Sequence, residues 1–360
     1  MSRATLATIH LGALRSNLAR VRELAGNARV MAVVKADGYG HGLERVARAL
    51  AAADAFGVAA IGDGLRLRAA GISNRIVVLS GPDEPADLAE LRRLELDAVI
   101  HHQSQVDWLA ADRSGPPLRV WLKIDTGMHR LGFAPERVAE VHARLRALAG
   151  VDPDIVLMTH FAASDEFDGT LTARQVACFD AATADLPGAH ALANSAGLLG
   201  WPAARGQWVR VGGLLYGLSV VAGQTGTDLG FAPAMTLSTK LISINRIQRG
   251  ERIGYAAAWQ CPDDMPVGVA AIGYGDGYPR SAPSGTPVLV GSTRAAIIGR
   301  VSMDLIAIDL RAVADARVGD HVVLWGRELP VEEIAAHAGT ISYDLTCGMT
   351  RRVLFAEDDI

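Results

Sequence analysis

Cysteine is scarce in this chain. Cys178, Cys261 and Cys347 are scattered through 360 residues with no CxxC pair, which excludes a disulfide framework and a cysteine-based zinc site. They read as small buried apolar thiols. No run approaches the ~20 consecutive apolar residues of a membrane span. Residues 1–20 show a periodic pattern with Arg3, Arg15 and Arg20 instead of a charged start and an unbroken apolar core, so the chain is expected to stay in the cytoplasm. An excess of either charge is also missing: 35 Lys+Arg stand against 39 Asp+Glu, a formal charge of -4, with no basic block that could neutralise a run of phosphates. Nucleic acid is therefore not an expected partner. What the chain does have is 50% hydrophobic against 21% charged residues, enough for a large packed core and too apolar for disorder. Its length predicts two domains, or one barrel of ~250 residues with a smaller companion.

Apolar runs of four to seven residues alternate with helical spacing from residue 29 to about 213. The runs are 30–35, 55–60, 75–80, 97–101, 118–124, 155–160, 190–193 and 208–211. Helical patterns lie between them at 44–53, 63–70, 87–94, 135–149 and 171–184. Parallel strands need crossover connections, and eight such units in roughly 200 residues fit a (β/α)8 barrel better than the alternative, an open doubly wound sheet. After Phe231 strand-like runs crowd together, at 235–247, 267–272, 287–290, 294–298, 305–309 and 321–324, with one helix at 330–337. The fold class is thus α/β: a barrel over residues 1–231, then a mostly β domain over 232–360.

A barrel of this kind carries its active site at the C-terminal ends of its strands. Those ends are unusually polar here: Lys35, Lys123 with Asp125, His160, Asn194 with Ser195, and Arg210. Lys35 directly follows the apolar run 31–34, and desolvation there would favour the neutral amine that a Schiff base needs. The turn 210–213 after the last strand offers backbone N–H groups, to which Ser195 and the phenol of Tyr39 could add donors for a phosphate.

The segment Val33-Val34-Lys35-Ala36-Asp37-Gly38-Tyr39-Gly40-His41-Gly42 resembles the pyridoxal phosphate attachment signature of bacterial alanine racemases. Further similar blocks occur in the family's order: 123–132 (KIDTGMHRLG), 159–162 (THFA), 194–195 (NS), 210–212 (RVG), 215–217 (LYG), 254–255 (GY), 273–278 (GYGDGY) and 299–304 (GRVSMD). Ser302 stands where many members have Cys, His129 occupies a variable position, and the tail 351–355 follows the family only loosely.

The resemblance implies pyridoxal 5'-phosphate as cofactor, no metal, and a homodimer whose active sites combine both subunits. It implies two proton carriers, Lys35 on one face of the substrate Cα and Tyr255 of the other subunit on the opposite face, with His160 polarising the phenol. Arg210 is implied to face the pyridine nitrogen and keep it unprotonated. Tyr39, Ser195, Gly212 and Tyr343 are implied to hold the phosphate. Arg130, the backbone of Met303 from the partner chain and Tyr274 are implied at the substrate, and Lys123 as a site of carbamylation that would orient Arg130. The rival readings are a related decarboxylase, a racemase of serine or lysine, a noncatalytic pyridoxal phosphate-binding barrel protein of cofactor homeostasis, and a cofactor-free barrel aldolase.

Overall fold

The computed structural model describes residues 5–112 and 115–359. The chain divides into two units. One comprises Asn17–Leu215 with Val220–Ala222; the other takes Tyr216–Ser219, everything from Gly223 onward and the N-terminal residues through Ser16.

Strand β1 (Leu6–His10) belongs to the second unit. The first holds eight strands, β2 (Arg29–Val33), β3 (Ala55–Val58), β4 (Arg75–Val78), β5 (Leu96–Ile100), β6 (Val120–Lys123), β7 (Val156–Met158), β8 (His190–Ala191) and β9 (Trp208–Val211). All pairings are parallel, in the order β8-β7-β6-β5-β4-β3-β2-β9. The circuit closes between β8 and β9 through Gln207 N–H to the His190 carbonyl (3.0 Å) and Arg210 N–H to that of Ala193 (2.9 Å). Strands covered on both faces need continuous apolar runs, and five of the eight are buried at every residue, Arg29, Arg75 and His190 alone opening outward at strand starts. Met31, Ala55, Val77, Val99, Trp121, Val156, Met158, Ala191 and Trp208 fill the interior. At the strand starts, the fully buried Asp97 accepts hydrogen bonds from Arg75, from Arg119 Nε (2.8 Å) and from Trp121 Nε1 (2.8 Å).

Helices at Leu43–Ala49, Ile61–Ala69, Asp87–Arg93, Val138–Arg146 and Thr170–Thr183 fall where the spacing predicts them. The first and fourth stop short of the expected residues 53 and 149. Helices Leu11–Ala25 and Gln103–Ala111 were not anticipated.

The second unit is built on β10 (Met235–Ile247), followed by β11 (Arg252–Ile253), β12 (Trp259–Gln260), β13 (Met265–Ala270), β14 (Pro287–Val290), β15 (Thr293–Ile298), β16 (Ile306–Asp309), β17 (His321–Trp325) and β18 (Leu354–Asp358). The order β13-β16-β15-β14-β17-β10 closes on itself because β10 also pairs with β13, its register shifting between Leu241 and Ser243. On β10, β1 adds antiparallel, and β18 lies parallel beyond it. The expected first domain of residues 1–231 thus differs from the structure at both ends: β1 finds its hydrogen-bond partners in the second unit, and the changeover falls at 216–223. The loosely matching tail leads into β18, which takes up its last two residues, Leu354 and Phe355. Helix Val331–Ala338 buries Val331, Ile334, Ala335 and Ala338, one helical face. The reading of three buried thiols holds for Cys261 alone; Cys178 is half-buried, and Cys347, at the end of the short helix Ser342–Cys347, is exposed.

Candidate active site

Beyond β2 the chain does not continue as a strand. Ala36, Asp37, Gly38 and Tyr39 have φ of 53°, 54°, 63° and 53°, a left-handed turn that is costly for residues with a Cβ. It is fixed from outside: Arg66 Nη2 and the Leu43 amide donate to Asp37 Oδ1 (2.8 and 3.2 Å), and Gly42 N–H donates to the Asp37 carbonyl (2.8 Å). The turn carries Lys35 past the packed layer, so Lys35 is exposed rather than wrapped by apolar strand as its sequence neighbours imply. It also brings Tyr39 over the last strand. A Cβ on Gly212 would meet the Tyr39 hydroxyl at 2.4 Å, and Gly212 N–H donates to Ser195 Oγ (2.9 Å). Two hydroxyls and a side-chain-free backbone therefore meet where the sequence places a phosphate.

Arg210 is almost fully buried and is held by carbonyls alone, donating to those of Ala191, Thr159 and Leu192 (3.2 Å for the last). Burial pulls it down to about 10. Lys123 is buried at the end of β6; desolvation first, then Arg210, Arg130 and Lys35, push it down to about 8. His160, half-buried after β7, is pushed down to about 2 by burial and then by the charges of Arg210, Arg130, Lys123 and Lys35. Its imidazole is neutral across the physiological range, so it can polarise a neighbour by hydrogen bonding but not as a cation. The structure thus gathers Lys35, Tyr39, Lys123, Arg130, His160, Ser195, Arg210 and Gly212 at one mouth of the barrel.

Arg130 rides on a loop pinched at its base by Asp125 N–H to the Phe133 carbonyl and Phe133 N–H to that of Lys123, both 2.9 Å. Inside the loop the Asp125 carboxylate accepts from Gly127 N–H, His129 N–H (both 3.0 Å) and His129 Nδ1 (3.1 Å). Burial raises its pKa, but these donors prevail and hold it below the usual range.

The remaining candidates lie in the second unit. Tyr255 sits in the β11–β12 turn after Gly254, whose φ of 78° only glycine adopts freely. Tyr274 N–H donates to the Ser302 carbonyl (3.0 Å) and Gly275 N–H to that of Met303 (2.9 Å), which laces these two loops together. Tyr255 (68%), Met303 (51%) and Tyr274 (38%) are exposed, an apolar group left uncovered by its own unit. Tyr343 is half-buried on helix Ser342–Cys347.

The family model "Alanine racemase, N-terminal domain" matches residues 9–220, and "Alanine racemase, C-terminal domain" matches 234–356. The chain belongs to the alanine racemase family. An alanine racemase of Shewanella baltica is 49% identical over 347 residues, 96% of this chain and 97% of the relative, and one of Shewanella loihica is 49% identical over 341 residues, 95% of each. Among solved structures, the biosynthetic alanine racemase of Pseudomonas aeruginosa superposes with a TM-score of 0.96 at 43% identity, covering 99% of both chains. That of Acinetobacter baumannii gives 0.94 at 35% identity, covering 99% of this chain and all of the other. Barrel and β domain both match those of alanine racemases. Sequence reasoning passed over Thr126, Thr159 and Gln175 of this alanine racemase fold, which hydrogen-bond one another directly behind His160. The available signal was a polar residue on the apolar face of helix Thr170–Thr183.

Proposed function

We propose that this chain interconverts L-alanine and D-alanine by two-base proton transfer at Cα, with pyridoxal 5'-phosphate as cofactor, and so supplies D-alanine for peptidoglycan or feeds alanine catabolism. One observation carries the reading: the charges that act most strongly on His160 at the barrel mouth are cationic, from Arg210, Arg130, Lys123 and Lys35, beside a cradle of Tyr39, Ser195 and Gly212. That donor set fits a dianionic phosphate with a phenolic oxygen and an amino-acid carboxylate. When bound, the cofactor withdraws electrons from the substrate and acidifies its Cα–H bond.

The chain's residues then divide the work. Tyr39, Ser195, the Gly212 amide and Tyr343 hold the phosphate, and Arg210, fixed by carbonyls and unable to accept a proton, keeps the pyridine nitrogen unprotonated. Arg130 orients the substrate carboxylate, helped by the backbone of Met303 of a second copy, with Tyr274 also at the substrate. Lys35, the attachment residue, takes or returns the proton on one face of Cα. On the other face that task falls to Tyr255 of a second copy, polarised by the neutral imidazole of His160. The exposed group of Tyr255, Tyr274 and Met303 supports a homodimer that covers it and completes each site.

Protein reconstituted with pyridoxal phosphate should be yellow, fix the cofactor on Lys35 after borohydride reduction, and abolish the optical rotation of L-alanine faster than that of serine or lysine. Label on another lysine, or preference for either larger substrate, would overturn the assignment.

A further inference from the structure

Gln175 is completely buried on helix Thr170–Thr183, the same helix face that buries Thr172, Val176, Phe179 and Thr183. A buried primary amide is costly unless its donors and acceptor are matched. Here they are, and each partner lies on a loop of the barrel mouth. The Ala162 amide donates to Gln175 Oε1 (2.9 Å), while Gln175 Nε2 donates to the His160 carbonyl (3.1 Å) and to Thr126 Oγ1 (3.2 Å). Only one orientation of the amide is possible, because a backbone N–H can only donate and a carbonyl can only accept. The His160-Phe161-Ala162 backbone is thus gripped on both sides of Phe161.

The third bond starts a directed chain. Thr159 Oγ1 donates to the Ile124 carbonyl (2.9 Å), so it must accept from Thr126 Oγ1 (2.8 Å), which in turn accepts from Gln175. The carbonyl of that same Thr159 receives Arg210. Thr126 opens the loop that carries Arg130, and Gly127 beside it lies against the Gln175 stem, a Cβ there falling 3.7 Å from Gln175 Cγ.

We propose that Gln175 is a positioning residue for racemisation: it fixes His160 in the orientation that polarises the phenol, and so governs proton transfer on the tyrosine face of Cα rather than on the lysine face. The inference rests on the reading of His160 and Tyr255 given above. A mere packing role would weaken both faces alike. Misplacement of a reacting group by an ångström costs up to about a hundredfold in rate, so the asymmetry is measurable.

The test is α-proton exchange from L-alanine and from D-alanine in deuterated water, on holoenzyme carrying Gln175→Met or Gln175→Glu. Gln175→Met keeps the volume and loses all three bonds. It should slow the exchange served by Tyr255, expected to be that of L-alanine, by at least about tenfold, with the exchange served by Lys35 changed by less than about threefold. Gln175→Glu adds a pH signature. Protonated, a carboxylic acid offers one donor and one acceptor in the shape of the amide; ionised, it only accepts and faces the His160 carbonyl. Relative to wild type its tyrosine-face exchange should therefore be largely intact near about pH 6, where a buried carboxyl holds its proton, and lost near about pH 9. Equal loss of both exchanges in Gln175→Met overturns the inference while leaving the racemase reading intact. A pH-independent ratio for Gln175→Glu likewise overturns it. A wild-type holoenzyme that exchanges neither enantiomer overturns the functional reading, and this inference with it.

Discussion

Lys123 shows how a buried cation among cations becomes a linkage between pH and stability. Its folded pKa of about 8 lies below the ordinary 10.5, so between those values the unfolded chain holds a proton that the folded chain has released, and stability rises with pH through that window. Below about 8 the folded state bears the whole penalty. In carbon dioxide-free buffer, Lys123→Met should raise the melting temperature of the cofactor-free protein at pH 7 by roughly 2–4 °C and give no gain near pH 10.5, a difference that calorimetry reads directly. A depressed pKa also leaves neutral amine available to react with carbon dioxide. Bicarbonate should therefore restore activity to carbon dioxide-depleted enzyme, with the added mass mapping to Lys123; an unmodified and fully active enzyme would refute this. At the opposite end of the barrel, Asp97→Ala would strand the Arg75 and Arg119 guanidiniums and the Trp121 indole. A loss of about 3–5 kcal/mol in urea unfolding is expected, with kcat of the folded fraction unchanged.

At the scale of elements, the alternating strands and helices were legible because parallel strands buried on both faces leave continuous apolar runs that no surface helix shows. Even the two-residue β8 fell where its run predicts. The left-handed turn after Lys35 was not legible, because Ala36, Asp37 and Tyr39 have no intrinsic preference for positive φ; Arg66 and the amides of Gly42 and Leu43 impose it from elsewhere in the chain. In a right-handed helix Ala→Gly costs about 1 kcal/mol. Here Ala36→Gly should leave the melting temperature unchanged or higher, because glycine relieves the strain that alanine carries. Cofactor affinity, measured by the return of yellow colour on titration, should nevertheless fall as Lys35 and Tyr39 lose their fixed approach. The candidate residues themselves could be read from strand ends and motif blocks. Gln175 left only the faint signal of a polar residue on an apolar helix face, since helical spacing alone does not tell a buried amide from a surface one.

For the whole molecule, the proposed sharing of a site between copies predicts a mixing rule. Lys35→Ala and Tyr255→Phe chains, each inactive alone, should partly restore one another when co-expressed, because a mixed dimer has one site with both lesions and one with neither. With random reassortment about a quarter of all sites should be active. Activity no higher than that of the separate mutants, in heterodimers verified by tags, would place both bases within one chain. The strand β1 shows why domain boundaries escape a local reading: the pattern of Leu6–His10 says that one face is buried, but not that Ser238 and Leu354 lie beside Leu6. That placement also sets a timetable for biogenesis. During translation at roughly 5–20 residues per second, Leu6–His10 waits tens of seconds for its parallel neighbour Leu354–Asp358. The barrel at Asn17–Leu215 can meanwhile close its own circuit on the ribosome. The early strand cannot, and until release it is an uncovered edge, open to pairing with a neighbouring nascent chain. A slowed or truncated C-terminus should therefore lead to aggregation that begins at the other end of the polypeptide.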